Sequence, residues 1–90
     1  MLRIQRSANG GVVFSLSGRI EAADIVELQR LLGLEAGGIT FDLREITMVD
    51  GDAVRFLERL EAEGIKFKDC PPYIRGWIDT ERGGSSRKKD

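Results

Sequence analysis

The stretch Ile39-Thr40-Phe41-Asp42-Leu43-Arg44-Glu45-Ile46-Thr47-Met48-Val49-Asp50-Gly51-Asp52-Ala53 decides the fold. Its first five residues alternate apolar and polar, the two-residue period of a half-buried strand. Ile46 to Val49 is a short apolar approach to the dipeptide Asp50-Gly51. From about Asp52 to Glu63 the period changes. Ala53, Phe56, Leu57 and Leu60 recur at helical spacing, with Arg55, Glu58, Arg59, Glu61 and Glu63 facing outward, which predicts an amphipathic helix closed by Gly64. A strand that passes through an acidic turn into a helix opens a strand-helix-strand unit, and such units build sheets with parallel crossovers.

Upstream, Leu2 to Arg6 alternates as a first strand, and Asn9-Gly10-Gly11 reads as a hairpin turn because these residues accept positive φ at low cost. Val12 to Ser17 is β-branched and aromatic, a second strand with Val12, Phe14 and Leu16 on one face. From Glu21 to Leu32 the apolar positions Ala22, Ile25, Leu28, Leu31 and Leu32 predict a first helix, which Gly33 and Gly37-Gly38 close. Downstream, Ile65 to Lys68 reads as a fourth strand, stopped by Pro71-Pro72, and Pro72 to Ile78 as a short third helix. The order β-β-α-β-α-β-α predicts an α/β domain: a mixed β-sheet with helices packed on one face.

The composition supports one small domain. The chain has 90 residues, 41% hydrophobic and 32% charged, and folding hides only about 60 to 65% of the unfolded surface at this size. His is absent and Cys occurs once, so triads that need His, His-rich zinc sites, CxxC redox pairs and an internal disulfide framework are excluded. No catalytic residue, metal ligand set or cofactor motif is assigned, and the chain reads as a binding module rather than an enzyme. The net charge of −1 divides into a domain over residues 1–79 and a basic tail over 80–90. In the tail Arg82, Arg87, Lys88 and Lys89 stand against Glu81 and Asp90, a net of +2, which leaves −3 on the domain. An apolar-free tail of this kind is expected to be disordered. A mildly acidic domain without a basic stripe argues against nucleic acid. There is no long apolar run and no leader pattern at Met1, so direct membrane insertion is not expected and the cytoplasm is the expected compartment.

Three stretches resemble the STAS domain of bacterial anti-sigma factor antagonists, sulfate transporter ends and small lipid transport subunits. Val13-Phe14-Ser15-Leu16-Ser17-Gly18-Arg19-Ile20-Glu21 is similar to the family's strand with its hydrophobic-x-Gly-x-hydrophobic-acidic turn. Ile39 to Leu43 followed by Ile46 to Asp50 is similar to its central strand and the approach to an Asp-Ser-Ser-Gly loop, and Gly64-Ile65 opens the next strand. The likeness covers Leu2 to about Ile78. It implies a further strand and a long C-terminal helix, where this chain turns polar; the domain is therefore read as C-terminally shortened. An uncovered sheet edge invites association, which makes a homodimer an expected form.

The resemblance also implies a site. In the antagonists a Ser of that loop is phosphorylated by an anti-sigma factor kinase, and the phosphoryl group breaks the contact with the kinase. Here the loop is Asp50-Gly51-Asp52-Ala53, with Asp52 at the acceptor position and no Ser or Thr from there to Glu63. Asp52 reads both as a helix cap, worth about 1 kcal/mol, and as a partial stand-in for phosphoserine. The expected partner surface comprises Glu21, Asp50, Gly51, Asp52, Ala53, Arg55 and Arg59. The implied role is an anti-anti-sigma-like regulator of transcription without a phospho-acceptor. The alternative is a STAS subunit of an ABC-type lipid transport complex that binds its ATPase; nucleotide binding, known in the family, has no motif here.

The remaining candidates have ordinary structural readings. Cys70 reads as a small buried hydrophobe with no activating base. Tyr73 and Trp77, four apart, read as an apolar face that covers the core, with a docking anchor as the alternative.

Overall fold

A computed structural model of the chain describes residues 2–8, 10–35 and 38–87, with residues 82–87 described by backbone alone. Asn9 and Gly37 of the two expected turns lie outside the described residues. The elements are β1 (Leu2–Ala8), β2 (Val12–Ile20), α1 (Ala22–Gly33), β3 (Ile39–Val49), α2 (Gly51–Ala62), β4 (Lys66–Lys68) and α3 (Pro72–Arg87). They form one four-stranded sheet in the order β1-β2-β3-β4. β1 and β2 are antiparallel, and the β2–β3 and β3–β4 pairs are parallel. The mixed α/β sheet expected from the element order is the one observed.

The strands are amphipathic across their two faces. Phe14, Leu16 and Ile20 of β2 and Phe41, Leu43, Ile46 and Val49 of β3 join Leu28 of α1, five residues of α2, and Ile74 and Ile78 of α3 in one buried cluster. Phe41 sits at its centre, edge-on to Phe14 at 6.0 Å and stacked with Phe67 at 6.1 Å. The opposite face of the sheet carries Gln5, Ser15, Asp42 and Lys68 in one cross-strand row.

β3 is a single strand of 11 residues, where the sequence suggests two apolar pieces separated by Arg44-Glu45. Two register shifts against β2 account for the difference, one between Ser15 and Ser17 and one between Gly18 and Arg19. Each inserts an extra residue and flips the phase of the alternation. The core row therefore runs Phe41, Leu43, Ile46, Val49 instead of every second residue. At the first bulge the Arg44 amide donates to Asp42 Oδ1 at 3.1 Å, which satisfies the buried Asp42 locally. At the second, Gly18 takes φ +98°, and Thr47 Oγ1 donates to its carbonyl at 3.0 Å.

α3 departs from expectation in two ways. Its inward residues are Ile74 and Ile78, both fully buried, whereas Tyr73 is 51% and Trp77 38% exposed. The aromatic pair therefore does not cover the core: positions 74 and 78 share one helical row, and 73 and 77 share the next. Tyr73 also reaches the sheet at its hydroxyl, 3.5 Å from the Ile46 carbonyl. The helix moreover runs past Ile78 to Arg87, through part of the stretch read as a disordered tail. Propagating a helix that is already docked requires no new nucleus. Thr80 Oγ1 adds a bond back to the Gly76 carbonyl at 2.9 Å. Lys88 to Asp90 lie outside the described residues.

Candidate functional site

The parallel pairing of β2 and β3 brings Ile20 beside Val49, so the residues that follow, Glu21 and Asp50, emerge at the same end of the sheet. Each leads into a helix. The Asp50 amide donates to the Ile20 carbonyl at 3.2 Å, tying the two exits together. Asp50 is in extended conformation, φ −97° and ψ 178°, as an N-cap residue must be. Its Oδ1 accepts from the Ala53 amide of α2 at 2.8 Å, and its Oδ2 accepts from the Ala22 amide of α1 at 3.0 Å. One carboxylate thus caps two helices and faces the positive ends of both dipoles.

This corrects the sequence reading, which gave the cap to Asp52. A cap must sit outside the helix with its side chain three residues short of the amide it serves, and Asp50 meets that condition for Ala53. Asp52 lies two residues further in, within the first turn of α2, exposed, and its carboxylate pairs with Arg55 three residues on. At the head of α1, Asp24 Oδ2 accepts from the Glu21 amide at 2.9 Å, closing the reciprocal half of a capping box. The Glu21 carboxylate is exposed, 3.8 Å from Arg19.

Of the seven expected residues, Glu21 and the first-turn residues of α2 lie at this end of the domain, Arg55 follows one turn on, and Arg59 stands in the last turn of α2. Ala53 is fully buried and serves through its amide. Asp50 has both oxygens engaged, and Gly51 is half-buried. Glu21, Asp52, Arg55 and Arg59 are exposed. Arg59 lies over the Phe56 ring, 5.7 Å from its centroid. Between α1 and α2 runs a shallow groove in which Ala22, Ile25 and Val26 face Asp52, Arg55, Phe56 and Arg59. It continues along the helices past Leu32 and Leu60.

Ile25 and Val26 are the contribution that the sequence reading missed. Val26 is 71% exposed. Its signal was available: it is the one large apolar residue of the α1 sequence that falls off the core stripe. The arrangement offers carboxylates and guanidinium groups around an apolar strip, the chemistry that recognises protein side chains. Among the described residues no three His, Cys, Asp or Glu side chains converge. Cys70 stands elsewhere, at the start of α3; its thiol is 3.7 Å from the Pro71 carbonyl, and burial pushes its pKa up.

No protein-family model and no curated protein matches the chain. Solved structures do match. The anti-sigma-factor antagonist STAS domain from Rhodobacter sphaeroides superposes with a TM-score of 0.53 at 11% identity, over 76% of this chain and 86% of that one. A Shewanella loihica protein with a SpoIIAA-like fold gives 0.53 at 11% identity, over 86% of this chain and 93% of that one. The crystal structure of Mglu gives 0.54 at 18% identity over 73% of this chain, which spans only 18% of that protein's length. At these identities the likeness is one of fold, and the fold is STAS-like.

Proposed function

We propose that this STAS-like domain is a cytoplasmic, non-enzymatic protein-interaction module, an anti-anti-sigma-like regulator without a phosphorylation switch. It meets its partner on the surface formed by Glu21 and Val26 of the α1 side with Asp52, Arg55 and Arg59 of α2. The observation that carries the reading is the double cap made by Asp50. Because Asp50 holds the loop, the side chain at position 52 has no cap to supply and lies on the surface, paired with Arg55. A carboxylate there is permanent, with one charge where a phosphoserine carries about 1.5 to 2. A kinase has no hydroxyl to act on between Asp50 and Glu63. The resemblance of the fold to an anti-sigma-factor antagonist domain supports the partner class.

Affinity capture from the native host tests this. A GHKL-type kinase is expected among the recovered proteins, and its recovery falls with Arg59→Glu and changes with Asp52→Ser. Recovery of an ABC ATPase instead would move the reading to lipid transport. Recovery that ignores both substitutions would sink the surface itself.

A further inference from the structure

The two edges of the sheet are built differently. The β4 edge is defended: it is three residues long, carries Lys66 and Lys68, and is ended by Asp69 at φ +52°. Short, lysine-bearing edges are a standard device against strand addition. The β1 edge is less defended, although it too carries two cations, Arg3 and Arg6. It is seven residues long and pairs with β2 at every one of its positions without a bulge, and it contains neither Pro nor Lys. Its one cation on the core side, Arg6, is drawn away to α1's C-terminal side, where Nε and Nη2 donate to Glu35 at 2.8 and 3.1 Å. Next to Glu35 stands Leu34, 72% exposed.

We propose that the outer edge of β1 pairs antiparallel with the β1 edge of a second copy, joining two sheets into one across a twofold axis at Gln5. The strand is self-complementary in this register. Leu2 faces Ala8, Arg3 faces Ser7, Ile4 faces Arg6 and Gln5 faces itself, so all seven residues are paired and no like charges are opposed. Each residue also keeps its face. Leu2, Ile4, Arg6 and Ala8 belong to the core-side row, opposite Gly18, Leu16, Phe14 and Val12, and Arg3, Gln5 and Ser7 to the open row. Centring on Arg6 would oppose Arg6 with itself, and centring on Ile4 would leave Ser7 and Ala8 unpaired. Backbone hydrogen bonds supply the affinity, as in other strand additions. One strand pair buries a small area, so the dimer exchanges with monomer and belongs with the smaller interfaces. This inference is independent of the proposed partner surface, which lies on the helix layer.

Sedimentation equilibrium of the full chain over the micromolar range is expected to show a monomer–dimer equilibrium. Gln5→Lys sets two like charges opposite each other and raises the dissociation constant about fivefold, the upper end of one cross-strand pair. An equimolar mixture of Gln5→Lys and Gln5→Glu chains restores association to the wild-type level or above. Gln5 is exposed, so both variants keep the wild-type thermal midpoint. Hydrogen exchange at alternate β1 amides slows as concentration rises. A chain that sediments as monomer throughout, or association that neither charge alters and mixing does not restore, overturns the proposal.

Discussion

Asp50 is the residue on which the candidate site turns, and its role follows from two hydrogen bonds to two different helices. Asp50→Ala should lower the unfolding free energy by about 2 kcal/mol, roughly 1 for each lost cap, in urea titration. Asp50→Asn retains one amide oxygen, able to reach one of the two helices, and should cost about half as much. Asp52→Ala leaves both caps intact and should stay within about 0.5 kcal/mol of wild type. Sequence inspection narrowed the cap to this tetrapeptide but placed it two residues late. Helix periodicity marks where an apolar stripe begins, not where the backbone leaves extended geometry. The second hydrogen bond, to Ala22, was not readable at all, because it depends on β2 and β3 ending side by side. Glu35 illustrates a titrating contact: hydrogen bonds from Arg6 hold its pKa below the ordinary Glu range. A depressed carboxylate contributes in full above its unfolded pKa and loses that contribution as pH falls through its folded pKa. Acidification below the ordinary Glu range should therefore loosen the Arg6–Glu35 tether while the core stays folded, seen as faster amide exchange in β1 before the far-UV signal changes.

At the scale of elements, α3 is held by two buried isoleucines and by Arg75, whose guanidinium grips Glu61 of α2 at 2.6 and 2.8 Å and Asp79 at 3.0 Å. Ile74→Ala should cost about 3 kcal/mol, since it opens a cavity against the sheet and α2. Tyr73→Phe, on the outer row, should cost under about 1 kcal/mol. A thermal-melt comparison of the two variants separates the inward from the outward row. The sequence favoured the aromatic pair for the core because the two lie four apart on one helical row; the neighbouring row, Ile74 and Ile78, is the one that faces inward. β3 teaches a related lesson. Period-two reading works only between bulges: Ile46 falls out of phase with Phe41 after the first, and Val49 returns to phase after the second, because β3 is longer than the stretch of β2 it must match. Gly18 was the available sign, a glycine inside a strand pattern.

Across the whole molecule the described ion pairs lie largely at the surface, whereas the core joins residues from all three helices and the sheet. Exposed pairs contribute little and are screened by salt. Raising ionic strength to about 1 M should leave the unfolding free energy within about 1 kcal/mol. A larger fall would mean that the Arg75 cluster, the most sheltered of the pairs, carries more of the stability than its position indicates. Fold class and element order were legible, because they depend on periodicity and on the right-handed crossover rule. The outward Arg55 and Arg59 and the buried stripe of α2 were legible from helical period as well; the exposure of Val26 was not, since that depends on how α1 and α2 lie together over the sheet. The double cap has a further consequence for descent and engineering. With architecture assigned to position 50, position 52 is left open to mutational drift: a single codon change to serine could install a kinase substrate without disturbing the scaffold, and the reverse change could silence one.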